Sequence, residues 1–137
     1  MLAPTYEVAR AADYRRPGGA WDRPTLDALL TDATPDALQA AVAGVAGGLR
    51  AAGVRPGDVV AWQAPNRPEV VLAYRACWRI GAVAAPIHHQ AGADEATRIV
   101  EALAPRAVLD LDALPLGQPV TEHWSEPEQL AAVLWTS

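Results

Sequence analysis

The sequence predicts an α/β fold, a small and mostly parallel sheet with helices on its faces. Three observations carry this. Apolar residues recur at helical spacing in three separate segments, short β-branched and aromatic runs fall between them, and Gly, Pro and Asp turn residues punctuate most junctions. Strands alternating with helices of about ten residues or more need crossover connections, which pair them in parallel.

Residues 1–33 carry a basic pair at Arg15 and Arg16, a Pro-Gly-Gly turn, and a short apolar set at Leu26, Leu29 and Leu30. They read as an arm followed by a short helix, separate from an α/β unit over 34–137. Thr34 is placed to cap a helix with Pro35 at its first position, and Leu38, Val42, Val45, Leu49 and Ala52 keep one face apolar until Gly53. "VRPGD" then turns the chain into a strand, "DVVAWQA", at 58–64. A second helix is expected from Asn66, which has the spacing of a capping box with Glu69, and Val70, Val71, Tyr74, Cys77 and Trp78 form its apolar face. Gly81 ends it.

"AVAAPI" at 82–87 reads as a short strand and "HHQAG" as the loop after it. A third helix is expected over Asp94 to Ala104, with Ile99, Val100 and Leu103 facing inward, and "RAVLDL" at 106–111 is the next strand. A Pro-rich loop at 112–128 leads to a closing strand over 131–135, within "AAVLWTS".

At 137 residues one domain is the default. The net charge of −5 offers no basic stripe to follow a phosphate backbone, which argues against nucleic acid as a partner. All eleven cations among Lys and Arg are arginine, so the chain has no lysine to place on a nucleotide phosphate. The single cysteine, Cys77, cannot form an internal disulfide. Neither a signal peptide nor a run of about 18 apolar residues is present, which points to a cytoplasmic protein with no membrane partner.

Three stretches together resemble the adenylate-forming ligases, the superfamily of acyl-CoA synthetases, firefly-type luciferases and peptide-synthetase adenylation domains. "LRAAGVRPGDVVAWQAPNRPEVVLAYRACW" (49–78) looks like the helix, Gly-Val-x-Pro-Gly-Asp turn, strand and Asn-x-Pro-Glu helix start of that family. "WRIGAVAAPIHH" (78–89) is similar to its Gly-Ala-Val-x-x-Pro segment, and "AAVLWTS" resembles the strand that delivers its Thr-Ser-Gly-Thr-Thr-Gly-x-Pro-Lys phosphate loop. The likeness covers roughly 35–137. It implies the N-terminal subdomain of an acyl-CoA synthetase-type ligase, cut two residues into that loop. Two departures stand out: no β-hairpin precedes the Leu38 helix, and the segment between Leu111 and Ala131 is short.

The resemblance further implies that a parent enzyme uses a carboxylic acid, ATP, Mg²⁺ and CoA, and that this chain alone holds no cofactor and is inactive. Its partner would be the remainder of the ligase or a second copy. Only Thr136 and Ser137 match the phosphate loop, so they are the expected ATP-phosphate contacts; no catalytic residue and no metal ligand is assigned. His88 and His89, at a strand end, are candidates for lining an acyl or pantetheine channel, against a plain solvent-exposed reading. Adjacent side chains diverge at a strand end, and His123 has no regular spacing to them, so a shared metal is not expected. Cys77 reads as a small core residue, Asn66 and Glu69 as a helix cap, and Arg75 with Arg79 as a solvated helix face or a surface for a missing neighbour. "GVAGG" at 44–48 lies inside a helix with no strand before it, which excludes a dinucleotide loop. Two other readings stay open: a non-catalytic module that docks on a partner chain, and a flavodoxin-like domain, disfavoured because no strand-to-helix turn has a phosphate-holding pattern.

Overall fold

The computed structural model describes residues 34–124, 126 and 128–135. The arm and short helix expected over 1–33 lie outside them. Helix α1 runs Pro35–Ala51, with the Thr34 hydroxyl accepting from the Ala37 amide at 3.2 Å. Leu38, Val42, Val45 and Leu49 are buried along one stripe, as the spacing requires. The chain then turns through Gly53, whose φ of 90° lies in the left-handed region.

Strand β1 is Val59–Gln63 and helix α2 is Pro68–Arg79. Here the expected capping box at Asn66 is not formed. Arg67, extended at φ −156° and ψ 160°, is the cap residue and makes no side-chain cap bond. The cause is Pro68: it disfavours helical geometry in the residue before it, so the helix starts at the proline and Asn66 falls outside. The Glu69 carboxylate takes Arg67 Nε instead, at 2.8 Å.

Strand β2 is Val83–Ile87, helix α3 Ala93–Leu103 and strand β3 Ala107–Leu109. The three strands pair in parallel in the order β2-β1-β3, with Val59 opposite Val83 and Val60 opposite Ala107. Side chains alternate between faces. Val60, Trp62 and Ala84 point toward α1 and α2, packing with Val45, Leu49, Ala73, Cys77 and Ile80. Ala61, Ala85 and Ile87 point the other way and are covered by Ile99 of α3. Small side chains on the central strands let helices approach both faces closely.

The expected closing strand at 131–135 is shorter than anticipated. It runs parallel along the outer edge of β2 but forms one bridge, Ala84 with Ala132. The Ala84 amide donates to Ala131 O at 3.0 Å, and the Val133 amide donates to Ala84 O at 2.8 Å. The next β2 residue facing that edge is Pro86, which has no amide hydrogen, so the ladder stops and Trp135 lies outside it.

Residues 111–120 fold back over α1 and return Leu111 and Val120 to the core. The crossing explains "GVAGG". The Gly117 and Val120 amides donate to the helix carbonyls of Gly44 and Ala43, each at 3.0 Å. A methyl on Gly48 would strike the backbone of Pro115 and Leu116, whereas one on Gly44 would meet only Leu116 Cδ2, at 3.6 Å. Alanine raises helix propensity by roughly 1 kcal/mol over glycine at either position. Gly44→Ala should therefore leave stability unchanged or raise it by up to about 1 kcal/mol. Gly48→Ala should lower it by about 1–3 kcal/mol, because overpacking outweighs propensity. Urea unfolding of the two variants checks the opposite signs.

Candidate functional site

Parallel pairing brings the C-terminal ends of β1 and β2 to one edge, and the polar residues that follow them meet there. Gln63, the last residue of β1, donates from Nε2 to His88 O at 3.0 Å and to Ala91 O at 2.9 Å. One side-chain amide thus stitches the β2–α3 loop to the neighbouring strand. His88 Nδ1 accepts from the Gln90 amide at 3.2 Å, tightening the same loop.

His88 and His89 do not diverge as expected. Their rings lie 4.9 Å apart, inclined by 34°. Side-chain alternation holds only while backbone is extended, and both residues stand beyond the end of β2, where Gln63 has folded the chain. Both are exposed. With Ala64, Asn66, Pro86, Ile87, Leu134 and Trp135 they line an open cleft of about 440 Å³. Its walls are apolar and aromatic on the Leu134 and Trp135 side, and polar on the Asn66 and imidazole side.

His123 is not among the lining residues. Among the described residues no three His, Cys, Asp or Glu side chains come together in a way that could hold a metal ion. Thr136 and Ser137, the expected phosphate contacts, lie outside the described residues; their neighbours Leu134 and Trp135 bring the chain along the cleft.

Arg67 closes the edge on the β3 side. Its guanidinium pairs with Glu69 at 2.8 Å and with Asp112 at 2.7 Å, joining the start of α2 to the loop after β3. The hydrogen bond from Arg67 holds the Glu69 carboxyl below its ordinary range. These partly exposed pairs fix geometry more than they stabilise.

Arg79 departs from its expected role on a solvated face. It is 7% exposed, with Nη1 donating to Val120 O at 3.1 Å and Nη2 to Gln39 Oε1. Burial, and then the charge of Arg75, lower its affinity for a proton. The returning segment crosses the end of α2 at this point, so Arg79 serves as an internal strut rather than an anion site. The expected apolar face of α2, Val70, Val71, Tyr74, Cys77 and Trp78, is turned from the buried one, which holds Ala73, Ala76, Cys77 and Arg79 and leaves Trp78 exposed; spacing alone could not show that another segment would cover Arg79.

Sequence reasoning missed Gln63, Arg67 and the cleft-facing position of Asn66. The available signal was a run of polar residues directly after a strand, "QAPNR", at the sheet edge where α/β folds gather their sites.

Residues 22–137 match the family described as AMP-binding enzyme. A feruloyl-CoA synthase of Amycolatopsis sp is 48% identical over 58 residues, covering 42% of this chain and 12% of that protein. The phenyloxazoline synthase MbtB of Mycobacterium sp. (strain MCS) is 33% identical over 117 residues, covering 73% of this chain and 10% of that protein. Apo MatB from Rhodopseudomonas palustris has a similar fold, with a TM-score of 0.67 at 21% identity over 82% of this chain and 32% of that one. The chain spans about a tenth of the length of these two relatives. No helix among the described residues is long and apolar enough to cross a membrane.

Cys77 is buried on the apolar face of α2, as expected, and burial pushes its thiol up to about 12 from an ordinary 9.0. A thiol that stays protonated is a poor nucleophile. At pH 8 the native chain should react with a disulfide reagent at least about a hundredfold more slowly than the urea-unfolded chain. The raised value also means that the neutral thiol's contribution is complete below pH 9 and lost as pH rises toward 12. Unfolding free energy should fall over that alkaline window, and less steeply in Cys77→Ala.

Proposed function

The chain belongs to the AMP-binding enzyme family, the adenylate-forming ligases, and on that premise we propose that it supplies the first α/β subdomain of an acid–thiol ligase of the acyl-CoA synthetase type. The observation that carries the thioester-forming branch is the 48% identity to a feruloyl-CoA synthase across 58 residues. An aromatic carboxylic acid is the substrate class this favours. In this reading residues 1–33 form an arm and 34–137 the subdomain itself.

The reaction attaches the acid's carboxylate oxygen to the α-phosphorus of ATP and expels pyrophosphate. The CoA thiol then attacks the acyl carbon, forms the thioester and expels AMP. Charge gathers on phosphate oxygens, so the protein's part is to aim hydroxyl and amide donors at them. Thr136 and Ser137 are the residues of this chain assigned to that contact. His88 and His89, with Trp135 opposite, form a wall along which an acyl or pantetheine chain runs, the aromatic side offering apolar contact and the imidazoles a polar rim. Magnesium bound to a nucleotide takes phosphate oxygens, waters and one or two carboxylates, and none of the described residues lining the cleft is a carboxylate, so they do not fit a magnesium site.

A second reading is a non-catalytic module that docks on a partner. The exposed Leu116, Leu130, Leu134 and Trp135 favour it, since large apolar side chains left on a surface suit a covering protein.

The test compares two polypeptides. The 137-residue chain alone should release no pyrophosphate from ATP above a protein-free blank with any acid. The product of the whole reading frame that encodes it should release AMP only when both a carboxylic acid and CoA are present. Pyrophosphate from the isolated chain, or a whole product that never turns over ATP with an acid, would overturn the proposal.

A further inference from the structure

Trp124, Gln129 and the 131–133 stretch lie across the turn between α2 and β2, held there by polar contacts. The Trp124 amide donates to Arg79 O at 2.9 Å, and its indole donates to Gln129 Oε1 at 2.7 Å. Gln129 Nε2 in turn donates to Gly81 O. Farther along, the Trp78 indole N–H donates to Ala131 O at 2.9 Å. Ala131 O also accepts from the Ala84 amide, so both its lone pairs are used.

Trp78 is 41% exposed, unusual for a side chain whose stability value lies in burial. Its placement is nevertheless set by contacts on both sides. Its ring packs at 5.3 Å on Tyr74, which stands edge-on at 4.9 Å to the fully buried Trp62. Three aromatic rings therefore connect the core to one backbone carbonyl of the strap. Beyond Val133 the ladder along β2 is stopped by Pro86, so the path of Leu134 and Trp135 past the cleft is set by the anchors before them.

We infer that Trp78 is a positioning residue: its indole N–H fixes Ala131 O and so aims the 131–135 segment at the cleft. This rests on the proposed function, in which the residues after Trp135 contact ATP. The side chain acts through the 131–135 segment, by its hydrogen bond to Ala131 O.

Trp78→Phe keeps the ring on Tyr74 and removes the donor. In the 137-residue chain, hydrogen exchange at the Val133 amide should speed up about fivefold, the scale of one lost hydrogen bond. The Val60 and Ala61 amides should not change. Unaltered exchange at Val133 overturns the inference. So does a loss of protection at Val60 and Ala61, which would make Trp78 a core residue and nothing more. In the whole reading frame's product, W78F should raise KM for ATP about three- to tenfold, with KM for the acid or CoA rising by no more than that, since Trp135 of the same segment lines the cleft. An active enzyme whose KM for ATP does not move overturns the positioning role while the proposed function stands. A wild-type product with no acid-dependent ATP turnover sinks the proposed function and the ATP half of the inference, and exchange at Val133 then decides the tether alone.

Discussion

The parallel pairing of β1 with neighbours on both sides is the constraint from which the rest of this structure follows. A central parallel strand is buried on both faces, and both must be covered by apolar surface. That demand selects Val60 and Trp62 for one face and Val59 and Ala61 for the other, with α1 and α2 covering the first and α3 the second. It also aligns the strand ends. Because β1 and β2 point the same way, the residues leaving them, Gln63 to Asn66 and His88 to Gln90, emerge at one edge, and a cleft there is a result of topology before it is a result of chemistry.

The covering layers are thin and alanine-rich, so backbone approaches backbone. Gly44, Gly47 and Gly48 of α1 admit the 115–118 segment at a distance that leaves no room for side chains at the latter two positions. Once that segment is seated, Val120 and the residues after it cross the end of α2 and bury Arg79. A buried guanidinium is costly unless its donors are met, and two of its nitrogens find Val120 O and Gln39 Oε1. Arg79 thereby links three parts of the chain distant in sequence.

What the sequence made legible was everything governed by local periodicity. Helical spacing located α1, α2 and α3 to within about two residues, and β-branched runs located the three strands. The misreadings share a different cause. Asn66 lost its capping role to the backbone restriction imposed by Pro68, Arg79 lost its solvent to a segment forty residues away, and His88 and His89 were brought together by Gln63 from another strand. Each depends on a tertiary contact or a neighbouring proline that residue spacing alone does not weigh. The cleft was half legible. Its histidines stood at a strand end in the sequence, while Asn66 and the opposing Leu134 and Trp135 required the fold.

Pro86 shows how one residue separates structural order from functional freedom. On β2 it sits where the edge facing the 131–133 segment would next need a donor, and without it the parallel ladder ends after a single bridge. Had the ladder continued, Leu134 and Trp135 would be fixed by backbone pairing to an edge position, as in an ordinary fourth strand. Instead the backbone leaves the sheet just where it reaches the cleft, and its aim passes to side chains: the Trp78 indole, Gln129 and Trp124. Backbone pairing thus holds the chain only as far as Val133, and side-chain contacts rather than a continued ladder carry it on to Leu134 and Trp135 at the cleft.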